Sequence, residues 1–131
     1  MSIIEAQKVL LTRVALADGP IRNAEIETAI AIANMIGGIG KVTRRDVVKQ
    51  VAYLSRSDLT AAIKQVVLLS DRQRLRLVGL MWVLAACDGP INADEEAAIL
   101  DMCEKIGVAR EAAVAQRQEA GINVSTNLEK G

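Results

Sequence analysis

Two stretches of this sequence place carboxylates at a spacing suited to a hard cation: Asp18-Gly19-Pro20-Ile21 closed by Glu25, and Asp88-Gly89-Pro90-Ile91 closed by Glu95. An aspartate oxygen, a turning glycine, an inward isoleucine and a closing glutamate form the second half of an EF-hand calcium loop. The first half is missing. Its two earlier ligand positions fall on Val14 and Leu16 in one copy and on Leu84 and Ala86 in the other, none of which offers a side-chain oxygen. A standard EF-hand is therefore excluded, and a weaker site completed by backbone carbonyls and water remains. The same residues also have a purely local use. Asp18 and Asp88 can close their turns through backbone hydrogen bonds, and Glu95 stands three residues after Asn92, at the capping-box position of the next helix. Two details point beyond capping. An anion at a helix C-terminus opposes the macrodipole by about 0.3–1 kcal/mol, yet an aspartate stands there in both copies; and Glu25 is present although Arg22, a poor cap, takes the place of Asn92.

Other chemistries find little support. The sequence has no histidine, which removes imidazole ligands, imidazole bases and the Ser-His and Cys-His nucleophile pairs. Its two cysteines, Cys87 and Cys103, fit a reducing compartment better than a disulfide scaffold. Along an antiparallel helical hairpin they would stand more than about 10 Å apart, beyond disulfide reach, so both are expected as core thiols. Gly37-Gly38-Ile39-Gly40 lacks a preceding strand and a following Lys-Ser/Thr, and reads as a helix-ending linker rather than a phosphate loop. Formal net charge is zero, but residues 41–76 hold nine basic and three acidic side chains, an excess the rest of the chain offsets. Such a bipolar surface suits an acidic partner or lipid head groups; with Tyr53 as the sole interleaved aromatic, nucleic acid is not expected.

The elements that must position the acidic pairs follow from an internal repeat. Residues 10–25 and 80–95 align at an offset of 70 with seven identities in sixteen, and the match continues to Ile36-Gly37 and Ile106-Gly107. Each unit reads as helix, tight turn, helix, with Gly19 and Gly89 as left-handed residues past a helix end and Pro20 and Pro90 preventing continuation. Leu77 to Cys87 is apolar all round and is expected to be buried on every side, with Trp82 among the core residues and its indole N–H needing a buried partner. On the partner helix Ile99, Met102, Cys103 and Ile106 share one face. Between the units, Thr43 with Asp46 starts a helix whose stripe is Val47, Val48, Val51 and Leu54. Ser57 caps a second with Leu59, Ile63, Val66 and Val67 inward, and Ser70 with Gln73 starts the long helix through Leu84. A last helix is expected over about 109–119, making seven.

Composition agrees. The chain has 131 residues, is 51% hydrophobic, and holds no Phe and only Trp82 and Tyr53 as aromatics. Helix formers dominate, so the expected fold is an all-α compact bundle of two pseudo-symmetric helix-turn-helix repeats, a single domain over 1–120 with a flexible tail over 121–131. Residues 1–5 lack the basic-then-apolar order of a signal peptide and the uncharged run Leu77 to Cys87 is only eleven residues, short of a membrane span, so a cytoplasmic location is expected.

The doubled Ala-Asp-Gly-Pro-Ile-x-x-x-Glu pattern, Ala17 to Glu25 with Cys87 replacing that alanine in the second copy, followed each time by a helix ending in Ile-Gly, resembles the TerB-like family of bacterial tellurite-resistance proteins. The resemblance covers about residues 8–110. It implies a bundle of about seven helices with internal two-fold pseudosymmetry, metal contacts at Asp18, Glu25, Asp88 and Glu95, and links to tellurite and chemical-stress resistance beside membrane-associated protein partners, with no established catalytic reaction. The expected function is a non-enzymatic, divalent-metal-binding interaction module taking Ca, Mg, Mn or Zn. The alternatives are a carboxylate-metal hydrolase, which needs all four acids in one cleft, and a metal-free helical adaptor.

Overall fold

Polar side chains just before the apolar stripes set where the helices begin. The structure, a computed structural model, describes residues 1–17, 26–27, 43–87 and 90–119, and among them are six helices and no strand. Helix α1 is Ile3–Ala15, with the Ser2 hydroxyl accepting from the Glu5 N–H at 3.0 Å. Helix α2, Arg44–Leu54, starts at Thr43, where Thr43 Oγ1 accepts from the Asp46 N–H and Asp46 Oδ2 accepts from the Thr43 N–H. Helix α3 is Leu59–Val66. Its cap is Asp58, whose carboxylate accepts from the Ala61 N–H at 3.2 Å, and not Ser57, whose hydroxyl instead donates to the Tyr53 carbonyl of the preceding helix. Helix α4, Asp71–Ala85, opens on a full Ser70/Gln73 capping box, and α5, Ala93–Lys105, on one made by Asn92 and Glu95. Helix α6 is Arg110–Glu119.

The core sits where α1, α4 and α5 meet. Helix α1 packs on α2, α3, α4 and α5, while α4 packs on α5 and α6. Leu10, Leu77, Met81, Trp82, Ile99 and Ile106 are fully buried there. The α5 face of Ile99, Met102, Cys103 and Ile106 is inward as expected, and Trp82 is in the core. Helix α4 is not enclosed on every side, however: its neighbours leave one strip open, where Val83 is 42% exposed. Cys103 is a core thiol but Cys87, past the helix end, is only half-buried. Val66 and Leu54 are buried, Leu59 and Ile63 half-buried, and Val48 and Val67 exposed; the side chains of Val47 and Val51 lie outside the described residues. So do the glycine turns Gly19 and Gly89, the Gly37-Gly38 linker, residues 121–131 and, apart from helical Ile26 and Glu27, the second helix of the first repeat. The superposition of the two repeats is thus outside the described residues as well.

A glycine cap does close α5. Gly107 has φ 78°, its N–H donates to the Glu104 carbonyl, and the Val108 N–H donates to the Cys103 carbonyl at 2.8 Å, the paired bonds of a Schellman motif. A Cβ at position 107 would also stand 2.9 Å from Arg74 Nη1. That guanidinium donates to the Ile106 carbonyl at 2.8 Å, tying the start of α4 to the end of α5.

Candidate metal site

Of the four carboxylates singled out, Glu95 is described, and Asp18, Glu25 and Asp88 lie outside the described residues. Glu95 is in the first turn of α5 and only 5% exposed. Its Oε1 accepts from the Asn92 N–H at 3.0 Å, and Asn92 Oδ1 accepts from the Glu95 N–H at 2.8 Å. The reciprocal pair satisfies two donors that the helix start would otherwise leave open. Just before it Ile91 is fully buried, as the spacing of a cation-binding turn requires of its isoleucine. Among the described residues, no group of three or more histidine, cysteine, aspartate or glutamate side chains is arranged to hold a metal ion.

The first turn of α5 carries three acids, Asp94, Glu95 and Glu96. All three favour the positive end of the helix dipole. Glu96 has a structural task of its own: its Oε2 takes a hydrogen bond from Arg117 Nη1 at 2.7 Å, with both side chains largely screened from water. The Arg117 guanidinium lies over the Trp82 ring, 5.2 Å from its centroid, and the indole N–H donates to the Ala113 carbonyl at 3.0 Å. Trp82 thus finds the buried partner its indole requires. The sequence flagged that need but not the acceptor that meets it, since α6 reads as a polar helix. The available signal was the spacing of four between Ala113 and Arg117, which sets the carbonyl and the guanidinium one turn apart on the same face. Nothing in the sequence marked the Arg74 tie to Ile106.

These features define a small all-α domain in which an acidic helix start follows a turn and is locked to the core through α6. The sequence matches the family model of the tellurite resistance protein TerB over residues 5–118, and the chain belongs to that family. TerB is a helical domain not known as an enzyme family. Searches of curated proteins and of solved structures return no match to this sequence. No helix among the described residues is long and apolar enough to cross a membrane.

Proposed function

We propose that this protein is a tellurite-resistance-related module that binds a divalent cation through the acidic turns Asp18/Glu25 and Asp88/Glu95 and acts through protein partners, without catalysis of its own. The supporting observation is the setting of Glu95: a carboxylate buried to 5% exposure, fixed at a helix start, four residues after a buried Ile91. A carboxylate has two oxygens with about four acceptor positions, so the capping role and a ligand role are chemically compatible in one side chain. Glu25 has the same place in the first repeat without a capping partner of the Asn92 kind. Carboxylate oxygens favour Ca²⁺, Mg²⁺ or Mn²⁺ over a softer ion. Membrane-associated stress proteins are the partners this reading expects.

The experiment is thermal melting of chelator-stripped protein with and without each divalent ion, for wild type, for the double variant Asp18→Asn with Asp88→Asn, and for Glu95→Gln. Glu95→Gln keeps a capping oxygen and removes the charge. Binding to the native state raises the wild-type Tm with ion concentration by mass action, and both variants should fold yet lose that rise. A wild type indifferent to every ion up to about millimolar levels overturns the metal reading. The metal-free adaptor then follows, a reading favoured by the fact that Glu95 and Glu96 both have structural tasks.

A further inference from the structure

Among the described residues the most exposed large apolar side chain is Leu68, 76% exposed in the turn between α3 and α4, beside Val67 at 41%. The turn is held in place. The Val67 N–H donates to the Ile63 carbonyl, the Leu68 N–H to Gln65 and the Leu69 N–H to Val66, while Leu69 packs on the core. Leu68 is therefore presented outward on a fixed backbone, and ordering it costs a partner little conformational entropy. Exposed cations, Lys64 and Arg72, flank it four residues to either side, and neither is in an ion pair among the described residues.

A surface complementary to that turn belongs to the same chain. A groove of about 760 Å³ runs along α5 to its connection with the start of α6, with Ala93, Ala97, Leu100, Val108 and Ala109 as its apolar lining. Asp101 and Glu104 stand exposed along it; Asp101 holds Lys105 at 3.0 Å, and Glu104 has no ion-pair partner among the described residues. Arg110 also lines it. The groove thus offers an apolar floor with an acidic edge, where the turn offers an apolar knob with basic flanks.

We infer that the chain pairs with a second copy of itself, the Val67-Leu68 turn of each copy entering the α5–α6 groove of the other, with Lys64 and Arg72 facing Asp101 and Glu104. Placement favours this occupant over an unrelated basic peptide. The Arg74 bond to the Ile106 carbonyl brings the start of α4 to the end of α5, and Gly107 and Val108 line the groove at that end. Knob and groove therefore lie on neighbouring parts of one surface, the arrangement a two-fold, self-complementary interface needs, in which residue i meets j and j meets i. The bipolar charge of the sequence, basic over residues 41–76 and acidic elsewhere, acts in the same sense and steers the encounter.

Sedimentation equilibrium of the full chain tests it, at low and at raised salt. The expected result is a monomer–dimer equilibrium of the 14.0 kDa chain that weakens as salt screens the flanking charges. Leu68→Asp should weaken the dimer at least tenfold while leaving the circular dichroism and the melting of the monomer unchanged, because the side chain is outside the core. Glu104→Lys should weaken it too, and Glu104→Lys combined with Lys64→Glu should restore part of the loss. A wild type that stays monomeric to about 1 mM, where association would contribute less than roughly 4 kcal/mol, overturns the proposal. A dimer that Leu68→Asp leaves intact overturns it equally, since the copies then meet elsewhere.

Discussion

Trp82 shows how one residue can organise several others. It is fully buried, gives its N–H to the Ala113 carbonyl and has the Arg117 guanidinium over its ring, which in turn holds Glu96. Trp82→Ala should cost about 3–5 kcal/mol, measured by chemical denaturation, because it removes the largest fully buried side chain among the described residues and leaves a cavity. Trp82→Phe should cost less, since most of the volume stays. Cys103 supplies a pH-dependent prediction. Burial pushes its thiol up from 9.0 to about 11. The native state thus keeps the proton where the unfolded chain has lost it, and unfolding is increasingly favoured as pH rises. The stability contributed by the neutral buried thiol is complete below pH 9 and should decline between pH 9 and about 11. Denaturation midpoints across that window should fall more steeply for wild type than for Cys103→Ala.

At the scale of the element, the helix ends are where single substitutions read out most cleanly. Ser70→Ala removes the hydroxyl that accepts from the Gln73 N–H, and its partner Gln73 Oε1 then caps the Ser70 N–H alone. The expected loss is about 1 kcal/mol. Asp46 makes a parallel case at α2: hydrogen bonds from the Thr43 backbone and hydroxyl hold its carboxyl below its usual range of 3.8. At the other end of α5, Gly107→Ala must place a side chain at φ 78°, a left-handed conformation costing about 1–2 kcal/mol for a residue with a Cβ. It must also displace Arg74 from the Ile106 carbonyl, so its measured cost should exceed that of Ala at an ordinary cap. A thermal shift of Gly107→Ala no larger than that of Ser70→Ala would contradict the role of this residue as the shared joint of α4 and α5.

For the molecule as a whole, the contacts converge: α1 touches α2 to α5, and α4 connects that cluster to α6. One core should unfold as one unit. The emission of Trp82, the sequence's single tryptophan, and the helical signal in the far ultraviolet should therefore lose their native values over the same temperature range. Transitions that separate by more than a few degrees would show that α6, which covers Trp82, opens independently of α1 and α4.

The sequence by itself determined the all-α class, the starts of α2, α4 and α5 and the inward face of α5, because these depend on local periodicity and on side chains bonding to backbone within four residues. Thr43 with Asp46 and Ser70 with Gln73 are legible for that reason, and Glu95 was legible as a cap and as a candidate ligand at once, since both roles ask for a carboxylate at the same spacing. The sequence points to Ser57 as the cap of α3, where Asp58 holds that place, because the choice between adjacent polar side chains depends on which of them the chain direction brings back to Ala61. Only tertiary structure decided which side of an apolar helix stays open, hence the exposure of Val83, and which distant groups meet: Arg117 with Trp82 and Glu96, and Arg74 with Ile106. Those pairs lie 21 to 35 positions apart, and no local pattern encodes them; they exist because helix packing brings Arg117 and Arg74 within about 3 Å of their acceptors and sets the Arg117 guanidinium 5.2 Å from the centre of the Trp82 ring.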